Sequence, residues 1–202
     1  MMVAENTGKT LEEALEKVLI ELNANQSEVI YKKEETEGKL FKSSSIKVTA
    51  TTKRDILSDM KEYVKKLVSG LGLNVELETS LKDDTYTIKM YSENNPILIG
   101  KNGQTLKSLE TIVKQKYLKD WNLYLKVNFD VEDYKEKRIT YLEKLAVRTA
   151  KEVLETKIDA TLENMNSYER RIVHNKLTNM KGITTLSEGE EPNRHIIIKA
   201  EN

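Results

Sequence analysis

Residues 98–106 read LIGKNGQTL, so two glycines flank a Lys-Asn pair and aliphatic residues lie on both sides. Glycine lets the backbone approach a ligand closely and adopt dihedral angles that other residues avoid. The amide groups at the start of a following helix attract anions, and Lys101 adds a mobile positive charge. The stretch predicts a turn between two helices that contacts phosphate groups, although Gly-x-x-Gly by itself also occurs in ordinary turns.

The spacing of apolar residues predicts the helices and strands around this turn. Asn95 and Pro96 have the residue types of a helix start. In chain order, the predicted elements are a helix at 55–70, strands at 73–79 and 86–90, a short helix at 97–99, a helix from 104 and a strand at 123–129. The middle of the chain therefore reads helix, strand, strand, helix, glycine turn, helix, strand, over residues 55–130.

Smaller α+β modules are predicted on both sides. At the N-terminus, Thr10 and Glu13 have the spacing of a capping box, and an amphipathic helix follows. The other predicted elements are strands at 2–4, 28–32 and 46–50, a long helix from 131, a helix at 168–180, and strands at 182–186 and 194–199. We therefore expect an α+β protein of three small modules, at 1–50, 55–130 and 131–202, with a short linker at 51–54.

Composition limits the classes of function. The chain has 202 residues, a formal net charge of zero from 33 basic and 33 acidic side chains, and no cysteine. Neutrality argues against coating nucleic acid by bulk attraction, so any such binding must be local. The segment 100–119 has five lysines against one glutamate, although a charge run is also typical of a solvated helix face. The missing cysteines, signal peptide and long apolar run favour a cytoplasmic protein.

A second motif lies in the last module, where Arg170 and His174 are four residues apart and so share one face of a helix. Arginine can bind a phosphate with two hydrogen bonds, and histidine can donate another. Arg171 could assist from about a quarter turn away. The alternative is structural: Arg170 would pair with Glu169 or an acidic loop, and His174 would be a satisfied core or cap residue.

The glycine turn resembles the signature of KH domains, I-G-x-x-G-x-x-I/L, and the element order resembles the bacterial type II arrangement, α-β-β-α-α-β. In that family the turn clamps the backbone of about four unpaired nucleotides, and an aliphatic groove receives the bases. The resemblance implies a site for single-stranded RNA, with single-stranded DNA as an alternative. Its residues would be Ile99, Gly100, Lys101, Asn102, Gly103, Leu106 and Lys107.

The Arg-x-x-x-His pair resembles the R-three-H domain, which is associated with single-stranded nucleic acid. The stretches 166–174 and 184–194, the second of which ends at Arg194, resemble the Jag family of SpoIIIJ-associated bacterial proteins, also called KhpB or EloR. The resemblance covers nearly the whole chain. That resemblance implies nucleic-acid contacts at Arg170, Arg171, His174 and Arg194. One departure is that the family's glycine-rich basic segment is represented only by EGKLFKS at 37–43.

The sequence thus predicts a cytoplasmic single-stranded RNA-binding regulator, which the family resemblance links to cell elongation and envelope biogenesis. The alternative is an adaptor that acts mainly through protein contacts. The resemblance suggests a small single-KH protein, a membrane insertase and peptidoglycan-synthesis enzymes as partners, which would recruit the chain to the membrane. A homodimer is an alternative that the sequence does not decide. We expect no enzyme activity, cofactor or metal, because only two histidines are present and no catalytic motif is found.

Overall fold

The computed structural model describes residues 1–36 and 45–201. The whole segment 37–43, which was compared with the family's glycine-rich segment, therefore lies outside the described residues. The chain divides into two compact units, Met1–Glu132 and Asp133–Asn202. Each unit is an α+β structure, as predicted, and three separate three-stranded sheets are formed. In the described part of the chain, no helix combines the length and the apolar composition that a bilayer crossing requires.

The first sheet lies in the N-terminal part of the first unit. Its elements are β1 (Ala4–Gly8), α1 (Leu11–Leu22), β2 (Val29–Thr36) and β3 (Ser45–Thr52), with strand order β1-β3-β2. The predicted helix is confirmed, and Thr10 caps it by accepting a hydrogen bond from the Glu13 amide at 3.2 Å. The strand predicted at 2–4 is wrong in position, because β1 begins only at Ala4. Its buried residues are the small Ala4 and Gly8, which face α1, whereas the apolar Met2 and Val3 are exposed.

The second sheet has the predicted order of elements. These are α2 (Lys53–Gly70), β4 (Glu76–Lys82), β5 (Thr85–Tyr91), α3 (Asn95–Ile99), α4 (Gln104–Trp121) and β6 (Lys126–Val131). β5 pairs antiparallel with β4 and parallel with β6. The strand predicted from Leu73 begins three residues later, because Gly72 has a φ of 76° and turns the chain there. Trp121 is the last residue of α4.

The core of this region lies between one face of the sheet and the helices α2 and α4. Residues of β5 alternate between buried and half-buried, as a strand with one covered face requires. The largest buried side chains of the region are Ile56, Met60, Tyr86, Ile88, Met90, Leu98, Tyr117 and Phe129. Full burial of each such side chain stabilises the fold by about 1.5–3 kcal/mol, and this packing fixes the positions of α3 and α4.

The first two sheets are joined without a loop. β3 ends at Thr52, whose hydroxyl caps α2 by accepting a hydrogen bond from the Asp55 amide at 3.0 Å. The linker predicted at 51–54 therefore consists of strand and helix residues. Lys32 of β2 also lies 5.9 Å from the ring centroid of Trp121 at the end of α4.

The second unit contains α5 (Tyr134–Thr156), β7 (Ala160–Thr161), α6 (Ser167–Leu177), β8 (Ile183–Glu188) and β9 (His195–Ala200), with strand order β7-β9-β8. The long helix starts later than the predicted residue 131, because β6 extends through Val131 and both Glu132 and Asp133 have positive φ. Buried side chains of α5 and α6 pack on Ile183, Ile196 and Ile198 of the sheet.

Candidate nucleic-acid interface

The glycine turn joins α3 to α4 and exposes its tip. Gly100 ends α3 with its amide donating to the Pro96 carbonyl at 2.8 Å, and the Gly103 amide donates to the Gly100 carbonyl at 3.3 Å. Between them Asn102 adopts left-handed dihedral angles, φ 51° and ψ 34°. Asparagine tolerates that conformation better than most residues. The result is a tight 3₁₀ turn at Lys101–Gly103 that leads directly into α4.

Gly100 is required by both its dihedral angles and its surroundings. Its φ of 71° and ψ of 179° lie in a region that is essentially restricted to glycine. A Cβ atom at this position would lie 2.1 Å from the Thr105 Oγ1 atom and 2.9 Å from the Thr105 backbone nitrogen. The turn can therefore pack against the first turn of α4 only with glycine at position 100.

The aliphatic residues beside the turn divide into anchors and exposed residues. Leu98 and Leu106 are buried, so Leu106, predicted to line the groove, anchors α4 in the core instead. Ile99 is half-buried, and Ile97, which the sequence reasoning missed, is 53% exposed. The exposure of Ile97 could have been predicted from the sequence, because neighbouring residues of a helix point in different directions and Leu98 points into the core. The apolar surface next to the turn is thus formed by Ile97 and Ile99.

The lysines of α4 and its turn have different environments. Lys101 and Lys107 are exposed beside the turn, and the first turn of α4 contains no acidic residue. Lys114 instead pairs with Glu110, and Lys116 pairs with Asp59 of α2 at 2.8 Å. The positive potential of the helix N-terminus therefore adds to the charge of Lys101 in the turn and of Lys107 in the first turn of α4, and the rest of the basic run is partly neutralised.

Asp59 connects α2 to α4 from beneath. It accepts hydrogen bonds from the Lys116 ammonium at 2.8 Å and the Tyr117 hydroxyl at 2.7 Å. Burial alone would raise the pKa of Asp59, but these two hydrogen bonds outweigh it and hold the pKa below its usual value. Desolvation, together with the same carboxylate, raises the pKa of the Tyr117 phenol. This charged brace holds α4, and with it the glycine turn, against α2.

In the second unit Arg170 lies in the interior rather than on an exposed face with His174. The side chain is 8% exposed and its guanidinium donates to the Met165 carbonyl and, at 2.9 Å, to the Glu191 carboxylate. The structural alternative from the sequence, a pair with an acidic loop, describes this contact. Arg170 therefore connects the start of α6 to the loop between β8 and β9.

The start of α6 is further fixed by buried polar contacts. Asn166 caps the helix by accepting hydrogen bonds from the Tyr168 and Glu169 amides, and the Glu169 carboxylate accepts one from the Asn166 amide. The buried Glu169 carboxylate also accepts a hydrogen bond from Arg138 of α5 at 2.8 Å. Because both ions have partners, their burial does not destabilise the unit as an unpaired charge would.

His174 and Arg194 lie beside the same face of β8. The His174 Nδ1 atom is 2.6 Å from the Thr185 hydroxyl, and the Arg194 Nε atom donates to the Ser187 hydroxyl at 3.1 Å. Thr185 and Ser187 are two residues apart and so share one face of the strand. His174, Arg194 and the nearby Arg171 are all exposed, so this surface presents three nitrogen-rich side chains to solvent.

Comparisons with known proteins agree on the two domains that carry these surfaces. Residues 58–129 match the family model "KhpA/KhpB, KH domain", and residues 140–200 match the R-three-H domain. The chain is 37% identical over 203 residues to the RNA-binding protein KhpB of Clostridium symbiosum, covering 97% of this chain and 91% of that protein. The chain belongs to the KhpB family. This confirms the predicted resemblance and its KH and R-three-H domains.

Other KhpB proteins differ in length. The Bacillus subtilis KhpB is 32% identical over 197 residues, and 95% of each chain is covered. The Lactiplantibacillus plantarum KhpB is 31% identical over 137 residues, which is 68% of this chain but only 42% of that protein. The regions that this KhpB-family chain shares with its relatives therefore occur in proteins of quite different size.

Sequence reasoning missed Tyr168 in the R-three-H region of this KhpB-family chain. Tyr168 is 63% exposed in the first turn of α6, three residues before Arg171 and therefore on the same side of the helix. Exposed aromatic rings provide stacking surfaces for unpaired bases. An aromatic residue close before the Arg-x-x-x-His motif was visible in the sequence, and the helix register needed to place it outside the core came from the structure.

Proposed function

We propose that this chain binds single-stranded RNA through two surfaces. The first is the glycine turn, where Gly100 and Gly103 allow close approach of a phosphate backbone, Lys101 and Lys107 supply charge, and Asn102 shapes the tip. Bases would contact Ile97 and Ile99. The observation that carries this proposal is the glycine-only conformation of Gly100 at an exposed, positively charged helix start. The RNA-binding names of the KhpB relatives support it.

The second surface is on α6 and β8. We assign direct contacts to Arg171, His174 and Arg194, with Tyr168 stacking on a base. Arg170 acts as a positioning residue, because its guanidinium is already bonded to the Met165 carbonyl and Glu191. Two weak sites on one chain raise the overall affinity through effective concentration, which compensates for a net charge of zero. The proposed modules remain 1–50, 55–130 and 131–202.

The test replaces the tip of the turn and keeps both glycines. Lys101→Asp with Asn102→Asp removes one positive charge and adds two negative ones, and aspartate tolerates the left-handed conformation of position 102. A Gly100→Asp change would not separate binding from folding, given the contact with Thr105. The matched control is Lys119→Asp with Asn122→Asp, which has the same residue types, charge change and left-handed asparagine at the other end of α4.

Affinity for a fluorescein-labelled 30-nucleotide single-stranded RNA is measured by anisotropy. We expect the tip variant to bind at least tenfold more weakly and the control within about twofold of wild type, since each tenfold corresponds to about 1.4 kcal/mol. Equal affinities of the tip variant and wild type would contradict the assignment of the turn. A wild type that fails to bind RNA, tested also with single-stranded DNA, would reject the proposed function.

A second candidate function is protein contact through the N-terminal region. Ile20 is 74% exposed on α1, next to acidic residues of the same helix. The exposed Ile20, together with the family resemblance, favours a surface for protein contact. Its partner would be a single-KH protein, a membrane insertase or a peptidoglycan-synthesis enzyme, and the chain would then act in the cytoplasm in cell elongation and envelope biogenesis. Pull-downs with Ile20→Glu, against Ile158→Glu as a similarly exposed control, would retain every partner if the adaptor idea is wrong.

A further inference from the structure

The outward face of α5 presents a positively charged stripe that neither of the two proposed RNA surfaces includes. Lys137, Lys144, Arg148 and Lys151 are all exposed. At 3.6 residues per turn, these positions fall within an arc of about 60° of the helix circumference. The arc lies opposite the buried side of the helix, which packs on α6 and the sheet. The four cations therefore form one line roughly 21 Å long.

Negative charges lie beside or beyond this line rather than within it. Glu143 is outside the arc and pairs with Lys176 of α6 at 3.1 Å. Glu152 and Glu155 follow the last lysine of the stripe, and the Glu152 carboxylate is 3.9 Å from Arg148, with both side chains largely exposed. A helix face that serves only for solubility mixes charges of both signs, and between Lys137 and Lys151 this one does not.

Three of these four cations also have no ion-pair partner among the described residues. No ion pair engages Lys137, Lys144 or Lys151 across residues 1–36 and 45–201. Tyr141 lies beside them on the same face, 50% exposed, with the Arg138 guanidinium 5.4 Å from its ring centroid. A line of cations of which only Arg148 has an ion-pair partner among the described residues, with an exposed aromatic ring beside it, has the composition of surfaces that follow a single nucleic-acid strand.

We infer that this stripe of Lys137, Lys144, Arg148 and Lys151 on α5 binds the phosphate backbone of the RNA that the chain binds, as a third contact surface. The inference rests on the proposed function. A helix that binds a lipid surface inserts an apolar face beside its cations, whereas the apolar face of α5 is buried against α6 and the sheet, so RNA is favoured. The contacts are electrostatic and independent of sequence, because phosphates are the same at every nucleotide.

The experiment uses the full chain with Lys144→Gln and Lys151→Gln. Its control is Lys157→Gln with Lys181→Gln, which removes two exposed lysines outside the stripe. Affinity for a 30-nucleotide polyuridine is measured at several salt concentrations. Loss of two exposed ionic contacts weakens binding roughly 2- to 30-fold, and the slope of log K against log salt becomes shallower by roughly 1.4. Lys144→Arg with Lys151→Arg should bind like wild type.

The outcomes separate this inference from the proposed function. If the stripe variant and its control bind equally while Lys101→Asp with Asn102→Asp loses affinity, the stripe assignment is overturned and the proposed function stands. If wild type does not bind polyuridine or any other single strand, both fail. Binding to phosphatidylglycerol vesicles that depends on the stripe, with unchanged RNA affinity, would also overturn the inference in favour of a lipid surface.

Discussion

Replacing Gly100 by alanine should destabilise the first unit more than the same change at Gly70 or Gly72. The φ of 71° and ψ of 179° would cost about 1–3 kcal/mol for a residue with a Cβ atom. The new Cβ would also lie 2.8 Å from the Thr105 Cβ and 2.9 Å from its backbone nitrogen. Rotation of the Thr105 hydroxyl cannot remove those two contacts, so we expect a total loss of about 2–4 kcal/mol.

The two other glycines separate the contributions. Gly72 has a φ of 76°, but a Cβ atom there would meet nothing within 4 Å, so Gly72→Ala tests the dihedral angle alone and should cost about 1–2 kcal/mol. Gly70 ends α2 without a positive φ and also has open space, so Gly70→Ala should be neutral or stabilise by up to about 1 kcal/mol.

Urea unfolding followed by tryptophan fluorescence measures these differences. Trp121 is the single tryptophan of the chain and is buried at the end of α4, so its emission reports on the first unit. The expected order of decreasing stability is Gly70→Ala, then Gly72→Ala, then Gly100→Ala. A Gly100→Ala variant as stable as Gly72→Ala would refute this reasoning, because the contact with Thr105 would then not constrain the turn.

Three further predictions concern the brace and the R-three-H region. Asp59→Asn should lower the stability of the first unit by about 1–3 kcal/mol at pH 7. Because the pKa of Asp59 is lowered in the folded state, the stabilisation by its carboxylate is complete above the unfolded pKa of about 3.9 and is lost as the pH falls through the folded pKa. The urea midpoints of wild type and variant should therefore converge only in acid. Arg170→Ala should increase hydrogen exchange at 160–194 while His174→Ala leaves exchange unchanged and weakens RNA binding; equal exchange in both would remove the positioning role of Arg170. Tyr168→Ala should weaken RNA binding roughly 5- to 100-fold and Tyr168→Phe should not; a Phe variant as weak as Ala would exclude stacking.

Periodicity and motif spacing predicted the order of elements, and the KH and R-three-H resemblances were confirmed, because burial on one face leaves a clear pattern in the residues of α2, β5 and α4. Strand positions were less accurate. β1 pairs through its backbone, so polar residues such as Asn6 and Thr7 can form a strand that composition does not reveal. At Glu132 and Asp133, two consecutive positive φ values separate β6 from α5. Aspartate tolerates that conformation, but glutamate at position 132 does not indicate it.

The site residues show a similar division. The conformation required of Gly100 follows from its place between two helices, and it was predictable. The sequence left Arg170 open between a nucleic-acid contact and a pair with an acidic loop, because its interior position depends in part on Glu191, which lies in the loop after β8. Leu106 was assigned to a groove on a shared signature, whereas its burial against the core follows from three-dimensional packing.

The central claim is that the glycine turn contacts RNA, and an NMR titration tests it most directly. Amide resonances of the ¹⁵N-labelled full chain are followed as an unlabelled single-stranded RNA is added. We expect the amides of 99–104 to shift at the lowest RNA concentrations, together with those near Tyr168, Arg171 and His174. Saturable RNA binding that leaves the amides of 99–104 unshifted would contradict the account.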